Sequence, residues 1–254
     1  MSAGPSRICV VTGGSKGIGA AVAADLSTAG HRVVLAARDP DALASAARAL
    51  PGPSLTVPVD LTAPDAAETL FGRVEAEWGP AEVLVAAAGA GASARLTETG
   101  DELWEQQLAL NLTAPFRCVR RALPSMLGAR WGRIVVVTSV AAKVGAPYVA
   151  AYTAAKHGAL GLVRAAAAEV AGTGVTVNAV CPGYVDTPMT DATVAAIVAR
   201  TGRDEAQARA ALARMQPIGR LIRPEEVAAV VRLLLEQEAL NGQGLTVDGG
   251  GVQS

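Results

Sequence analysis

The fold of this chain is decided by residues 8–19, which read ICVVTGGSKGIG. An apolar run leads into a turn with glycines at positions 13, 14, 17 and 19, and an Ala-rich segment of helical length follows. Free N–H groups and the positive dipole end of a helix N-terminus attract an anion. The stretch therefore predicts a strand, turn and helix that bind the phosphates of a dinucleotide. Its GxxxGxG spacing differs from the general GxGxxG pattern, and a tight turn alone also requires glycine.

Short β-branched runs alternate with longer Ala-rich segments along the rest of the chain. The runs are apolar throughout, which indicates strands covered by helices on both faces. We predict an α/β fold, a single-domain Rossmann-type doubly wound parallel sheet of about seven strands over residues 1–254. The predicted strands are 8–11, 32–35, 55–57, 83–85, 134–137, 175–177 and 244–247, and the predicted helices are 17–29, 40–50, 63–78, 101–127, 149–170 and 224–236.

Residues 188–215 interrupt this alternation with one or two amphipathic helices. Ligands of doubly wound sheets bind at the carboxyl ends of the strands, and this block follows such an end. We therefore predict that it is a substrate lid. The alternative is packing against the edge of the sheet.

Composition excludes several classes of protein. The chain is 51% hydrophobic, and its 22 Lys and Arg residues balance 23 Asp and Glu residues, so no basic surface for nucleic acid is predicted. No apolar run reaches the length of a membrane span, and residues 1–7 lack the features of a signal peptide. Cys9, Cys118 and Cys181 are far apart in apolar contexts, as expected of free thiols in a reducing cytoplasm. Neither His has partners at metal-ligand spacing, so no metal site is predicted.

The residue after the second predicted strand indicates the choice of cofactor. An NAD site usually has an acidic residue there, which binds the ribose 2′-hydroxyl and would repel a 2′-phosphate. This chain has Arg38 instead, and Lys16 lies in the glycine turn. Both cations can pair with a 2′-phosphate. We predict NADP(H), with NADPH preferred over NADH, and the alternative is two solvated surface cations.

Two further features predict the chemistry of the site. Tyr152 and Lys156 lie one helical turn apart, where the ammonium would lower the pKa of the phenol toward working pH. Ser139 ends the fifth predicted strand, where a hydroxyl can donate to a substrate carbonyl oxygen. Its alternative role is to cap a helix or turn.

Together these features resemble the short-chain dehydrogenase/reductase family over essentially the whole chain. The resemblance rests on Gly13, Gly17, Gly19, Asn111, Ser139, Tyr152, Lys156 and residues 178–183. It implies that Tyr152 is the general acid/base and that Lys156 lowers its pKa and holds the nicotinamide ribose. It also implies that Ser139 orients the substrate oxygen and that Asn111 helps to bind a relay water.

The same resemblance implies the cofactor contacts. Asp60 and Leu61 would frame the adenine, and Pro182, Gly183, Val185 and Thr187 would face the nicotinamide. For Asp60 and Thr187 the alternative, which can coexist, is to cap the helices that follow. The full set of implied contacts is Gly13, Ser15, Lys16, Gly17, Ile18, Gly19, Arg38, Asp60, Leu61, Ala88, Gly89, Tyr152, Lys156, Pro182, Gly183, Val185 and Thr187.

The chain departs from the family after the fourth predicted strand. Ala86 and Ala87 stand where the family usually has two Asn residues. Those amides tie the central sheet to the cofactor loop, and each lost hydrogen bond is worth about 1 kcal/mol. We therefore expect looser packing or weaker cofactor binding.

The substrate pocket should be formed by residues 90–96, 140–148 and 188–215, which are mainly small and apolar. Residues 110–113, 181–189 and 217–220 are similar to 3-oxoacyl thioester reductases and aromatic-polyketide ketoreductases. We predict an NADPH-dependent enzyme that reduces such a ketone to a secondary alcohol. Alternatives are a secondary alcohol dehydrogenase for a steroid, cyclic or small hydroxy compound, and a nucleotide-binding regulator without turnover.

The resemblance also bears on partners. Carrier-dependent relatives have a basic pair near the mouth of the site, whereas this chain has Arg130 and Thr173 at these positions. A free or CoA-linked ketone is therefore favoured, unless Arg133 or Arg95 supplies the second charge. The family usually forms dimers or tetramers through the helices predicted at 101–127 and 149–170, so a homo-oligomer is expected; the alternative is that these helices bury only against their own sheet.

Overall fold

The computed structural model describes residues 5–253 and contains a seven-stranded parallel sheet. Residues 1–4, part of the N-terminal segment without signal-peptide features, and residue 254 lie outside that range. The strands are β1 (Ile8–Thr12), β2 (Arg32–Ala37), β3 (Ser54–Pro58), β4 (Val83–Ala86), β5 (Gly132–Val137), β6 (Val175–Pro182) and β7 (Gly244–Val247). Their order is β3-β2-β1-β4-β5-β6-β7, which is doubly wound about β1 and β4. The predicted fold class is confirmed.

Helices cover both faces of the sheet. They are α1 (Gly17–Thr28), α2 (Pro40–Arg48), α3 (Ala66–Glu77), α4 (Asp101–Leu108), α5 (Ala114–Gly128), α6 (Ala150–Glu169), α7 (Pro188–Thr201), α8 (Glu205–Arg214) and α9 (Pro224–Glu236). Helices α1, α2 and α9 bury one face of the sheet, and α3, α5 and α6 bury the other. Within β1, Val10 joins one of these cores while its neighbours Cys9 and Val11 join the other. This two-sided burial explains why the strands are apolar throughout.

The helix predicted at 101–127 is not continuous. A π-helical turn at Ala109–Thr113 separates α4 from α5. Pro115 lies in the first turn of α5 and has no N–H to donate to the carbonyl four residues earlier, at Asn111. Single π-helical turns inside helices often occur at functional sites, and this one carries Asn111. The helix predicted from residue 63 also begins later, at Ala66.

Residues 188–215 form α7, α8 and a short connection, a unit called the helical hairpin below. The hairpin has a small apolar core of its own, formed by Val194, Ala208 and Leu212 together with Leu221. Arg209 of α8 forms ion pairs with Asp186 and, at 2.6 Å, with Asp191 in the first turn of α7. The hairpin is therefore held together by its own contacts as it lies beyond the carboxyl end of β6.

Two general features complete the fold. Among the helices within residues 5–253, none combines the length and apolar character required to cross a membrane. Cys9, Cys118 and Cys181 are buried free thiols. Burial raises the pKa of Cys118 to about 12, so this thiol stays protonated at neutral pH.

Candidate active site

Tyr152 and Ser139 meet at the carboxyl edge of the sheet. Ser139 follows β5, and its Oγ accepts a hydrogen bond from the Ala141 N–H (3.1 Å) at the start of a 3₁₀ turn. The Ser139 hydroxyl also hydrogen-bonds the phenol of Tyr152, which lies in the first turn of α6. The Ser139 side chain therefore both caps the 3₁₀ turn and contacts the Tyr152 phenol. The capping bond fixes the Oγ position from which Ser139 reaches Tyr152.

The predicted lowering of the Tyr152 pKa is wrong. Burial raises the pKa of this phenol, the Ser139 hydrogen bond opposes that rise, and Tyr184 adds to it. The Lys156 ammonium is 5.6 Å from the centroid of the Tyr152 ring, and its Nζ donates to the Val137 carbonyl oxygen (3.1 Å). Burial lowers the pKa of Lys156 to about 8, against a smaller opposing effect of Cys181. Desolvation thus dominates both groups and favours their neutral forms.

Asn111 and Lys156 flank one small space beside Gly89. The Asn111 side chain is fully buried, and its Nδ2 donates to the carbonyl oxygens of Ala90 (2.9 Å) and Gln107 (3.1 Å). Its Oδ1 is buried and has no hydrogen-bond partner. A Cβ at Gly89 would lie 3.0 Å from this Oδ1 and 3.4 Å from Lys156 Nζ. A buried amide oxygen without a partner calls for a donor, which a water or a ligand hydroxyl would supply.

The glycine turn forms a cradle at the N-terminus of α1. Gly13 has a φ of +67°, and a Cβ there would come within 2.9 Å of the Ala88 backbone. A Cβ at Gly19 would overlap the Gly13 carbonyl oxygen. Only glycine permits β1, α1 and the loop after β4 to approach so closely. With the open amides of the helix N-terminus, this cradle fits a pyrophosphate.

The loop after β4 is held to β1 despite the absence of the two Asn side chains. The N–H groups of Ala87 and Ala88 donate to the Thr12 hydroxyl, at 3.1 and 3.2 Å. Ala86 is 2% exposed and packs in the core under α3 and α5. Thr12 therefore supplies a connection between sheet and loop, which counters the expected loosening. Weaker cofactor binding remains a prediction.

The other predicted cofactor residues lie around this cradle. Arg38 and Lys16 are exposed, and within residues 5–253 neither forms an ion pair. Asp60 accepts from the Thr62 N–H (3.0 Å) and hydroxyl (2.8 Å), and these bonds, with the Arg38 charge, lower its pKa. It caps this turn and not helix α3, which begins at Ala66. Leu61 is buried, Ser15 is half-buried, and Ile18 packs against the core under α1.

The segment after β6 approaches the glycine turn. A Cβ at Gly17 would contact the Thr187 side chain at 3.2 Å. Thr187 precedes α7 without capping it through its side chain, and its hydroxyl donates to the Val185 carbonyl oxygen (3.3 Å). Val185 itself pairs with Ile222 in an isolated β-bridge. Pro182 and Gly183 thus lead from β6 to residues beside the cradle, and their contact with the cofactor stays a prediction.

The outer end of the site lies between two loops and the hairpin. Tyr148 has a φ of +68°, and its carbonyl oxygen accepts from the Ala94 N–H (2.9 Å). The Arg200 guanidinium of α7 lies 5.8 Å from the centroid of the Tyr148 ring. The predicted pocket segments 90–96 and 140–148 and the hairpin therefore meet at Tyr148.

One proposed source of a second basic residue is wrong. Arg133 is 4% exposed, and its guanidinium donates to the backbone carbonyl oxygens of Leu235, Gly132 and Gly174. It cannot bind a carrier at the surface. Arg95 is exposed and pairs with Glu98 at 3.8 Å, and Arg130 is also exposed.

Gln216 is the functional candidate that the sequence did not reveal. It is 3% exposed, and its carboxamide hydrogen-bonds backbone atoms of Tyr184 and Arg220. Because these partners are backbone atoms, no pattern of residue types in the sequence indicates them.

Within residues 5–253 no group of three or more His, Cys, Asp or Glu side chains is placed to hold a metal ion.

Comparison with known proteins agrees with this geometry. A family model described as short chain dehydrogenase matches residues 7–197. The chain is 41% identical to cis-4-hydroxycyclohexanecarboxylate dehydrogenase of Sinomonas cyclohexanicum, over 96% of each chain. It is 38% identical to the 3-oxoacyl-[acyl-carrier-protein] reductase MabA of Mycobacterium tuberculosis, over 96% of this chain and 92% of the relative.

A solved structure is also similar over nearly its full length. It is a single-residue variant of the actinorhodin polyketide ketoreductase with NADPH. The TM-score is 0.94 and the identity 35%, and the match covers 97% of both chains. This similarity extends over the sheet, the helices on its faces and the helical hairpin.

Proposed function

The chain belongs to the short-chain dehydrogenase family, and on that premise we propose that it reduces a ketone to a secondary alcohol with NADPH. The observation that carries this proposal is the Tyr152 phenol, hydrogen-bonded by Ser139 at the sheet edge where ligands of this fold bind. Buried Lys156 and Asn111 lie close by, around Gly89. A regulator without turnover would not need these four side chains together.

Residues around the glycine cradle would hold the cofactor. The amides at the start of α1 would bind the pyrophosphate, and Arg38 and Lys16 would pair with the 2′-phosphate. Residues 182–187 would face the nicotinamide, and Lys156 its ribose. When bound, NADPH supplies the hydride that the carbonyl carbon receives.

The side chains of the site supply the proton. Ser139 donates a hydrogen bond to the substrate oxygen and aligns it with Tyr152. The Tyr152 phenol then gives its proton to that oxygen, which becomes the alcohol hydroxyl. The Tyr152 phenol is protonated at neutral pH, as a proton donor must be, because burial raises its pKa from a value already above that pH. A water between Asn111 Oδ1 and Lys156 Nζ would return a proton to the phenolate.

A 3-oxoacyl thioester or polyketide-type ketone is the proposed substrate class. Similarity to MabA and to the actinorhodin ketoreductase supports it. With Arg133 buried, Thr173 uncharged and Arg95 paired with Glu98, a free or CoA-linked ketone is favoured over a carrier-bound one. The second candidate is oxidation of a cyclic hydroxy acid, which the 41% identity to the cyclohexanecarboxylate dehydrogenase favours.

A homo-oligomer and a cytoplasmic location complete the proposal. Phe116 on α5 is 40% exposed and lines a shallow groove between α5 and α6 with Leu123 and Leu162. This face would bind a second copy of the chain, and light scattering after size-exclusion chromatography measures the assembly. The buried free thiols suit a reducing compartment.

The test is a substrate panel with NADPH and with NADH, followed by nicotinamide absorbance. The panel contains 3-oxoacyl-CoA esters, bicyclic ketones and 4-oxocyclohexanecarboxylate, with the matching alcohols and NADP⁺ or NAD⁺ for the reverse direction. Reduction of the thioesters or bicyclic ketones that is faster than reduction of 4-oxocyclohexanecarboxylate, and faster with NADPH than with NADH, supports the main proposal. Preferential turnover of the cyclic acid supports the second candidate. No turnover of any compound, with NADPH bound, contradicts both.

A further inference from the structure

Gln216 lies at the base of the helical hairpin, two residues after α8 ends at Arg214. Its Oε1 accepts from the Tyr184 N–H (3.0 Å), and its Nε2 donates to the carbonyl oxygens of Tyr184 (3.1 Å) and Arg220 (2.8 Å). The side chain is almost fully buried. One carboxamide thus joins the chain that enters the hairpin to the chain that leaves it.

Backbone hydrogen bonds join the same two chain segments. The Ile222 N–H donates to the Tyr184 carbonyl oxygen (2.9 Å), and the Asp186 N–H donates to the Ile222 carbonyl oxygen (2.8 Å). The Gln216 carboxamide extends this short ladder by one step on the side nearer the sheet. The base of the hairpin is therefore fixed, even though α7 and α8 are largely exposed.

The packing at Gly183 shows how closely the carboxamide fits. A Cβ at Gly183 would overlap Gln216 Oε1 and would come within 2.9 Å of Asp248 Cβ. Asp248 is itself held, because its carboxylate accepts from the N–H groups of Gly250 (3.0 Å) and Val252 (2.6 Å). Gly183 is thus enclosed between two fixed side chains, and the backbone that leads to Tyr184 has a single path.

This path leads through Tyr184, whose charge acts on the ionisation of Tyr152, to Thr187, whose side chain lies against the glycine turn. Movement of residues 183–187 would therefore shift both the Tyr184 ring and the segment proposed to face the nicotinamide.

We propose that Gln216 is a positioning residue, which fixes residues 183–187 and so aligns Tyr184 and the nicotinamide-facing backbone with Tyr152. This assignment rests on the proposed ketone reduction. Gln216 itself touches no reacting atom in this account. Its effect passes through the backbone of Tyr184, so substitution should affect the nicotinamide end of the site and leave the adenosine end unchanged.

The test compares Gln216→Glu with Gln216→Met. The carboxylate keeps an acceptor for the Tyr184 N–H but faces two carbonyl oxygens without a proton to donate, whereas Met removes every hydrogen bond at similar length. We expect kcat to fall about 10- to 100-fold in both variants, because small misplacements at a reacting centre have effects of this size. The control is Gln237→Glu, which adds the same charge at an exposed position after α9, outside the predicted pocket and cofactor segments, and should match the parent protein.

Binding measurements distinguish positioning from general stability. Adenosine 2′,5′-bisphosphate lacks the nicotinamide half of the cofactor, so its Kd should stay within about twofold of the parent value in all variants, whereas the Kd of NADPH should rise severalfold in the Gln216 variants. Unchanged kcat and NADPH affinity, with only a lower Tm, would overturn the assignment. If Gln216→Glu does not fold, the uncharged Gln216→Asn replaces it. The binding comparison needs no turnover, so it tests Gln216 even if no ketone is reduced.

Discussion

The catalytic edge of the sheet and the helical hairpin are built in different ways. Asn111 and Lys156 are 0% and 4% exposed and are held by hydrogen bonds to backbone carbonyl oxygens. In the hairpin, Met189 and Met215 are 44% and 62% exposed, and the ion pairs of Arg209 lie at the surface. The side chains proposed to transfer protons are thus held in buried contacts, whereas the hairpin, which is predicted to be the substrate lid, leaves much of its surface exposed to solvent.

Removing the buried ammonium tests the rigid region and has the largest expected effect. Lys156→Met should lower kcat about 100-fold or more and yet raise the free energy of unfolding at pH 7. The folded pKa of Lys156 is about 8, against an ordinary 10.5, so the charged form costs about 3 kcal/mol at 1.36 kcal/mol per unit. The variant regains this free energy but loses the hydrogen bond to the Val137 carbonyl oxygen, which offsets about 1 kcal/mol of it.

The pH dependence of this effect follows from the direction of the shift. Below pH 8 both folded and unfolded chains carry the proton, so the variant keeps its full advantage. Between about pH 8 and 10.5 the folded parent loses the proton first and gains stability, so the advantage shrinks. Urea unfolding at pH 7 and pH 10 measures it, with Lys16→Met as the exposed control. A variant less stable than the parent at pH 7 would refute the account of Lys156.

Reversing the charge at Arg38 tests the cofactor end of the catalytic edge. Arg38→Glu should raise the KM for NADPH about 10- to 100-fold and leave the KM for NADH nearly unchanged, because a carboxylate repels the 2′-phosphate. The matched control is Arg48→Glu, an exposed substitution on α2. Equal effects on both cofactors, or none, would show that Arg38 is a solvated surface cation.

Weakening the hairpin has the smallest expected effect. Arg209→Gln removes both ion pairs and should lower the free energy of unfolding by less than about 1 kcal/mol, because exposed pairs contribute little. The KM for the ketone should still rise about two- to fivefold if α7 and α8 act as a lid. Arg203→Gln, exposed in the same hairpin, is the control. An unchanged KM in Arg209→Gln would favour the alternative of simple edge packing.

Much of the fold could be read from local sequence. Runs such as Val33 to Leu35 are buried on both faces, so they are apolar at every position, and the spacing of Tyr152 and Lys156 reports one helical turn directly. The glycine turn was equally plain, because close backbone approach at Gly13 excludes other residues.

The remaining features depend on three-dimensional surroundings. The direction of the Tyr152 pKa shift is set by burial, which the four-residue spacing to Lys156 does not report. Arg133 looks like a surface cation in the sequence and is buried among carbonyl oxygens. Gln216 binds backbone atoms, which every residue type carries, so no side-chain pattern marks it.

Single-turnover reduction by Tyr152→Phe shows whether Tyr152 is the proton donor. The parent protein and the variant are mixed with NADPH and the best ketone of the panel, and nicotinamide absorbance is followed at pH 7. We expect a loss of about 1,000-fold or more in rate, with the Kd for NADPH within about twofold of the parent value, since the variant removes only the phenolic hydroxyl. Reduction at a rate close to that of the parent would contradict the assignment of Tyr152 as the proton donor.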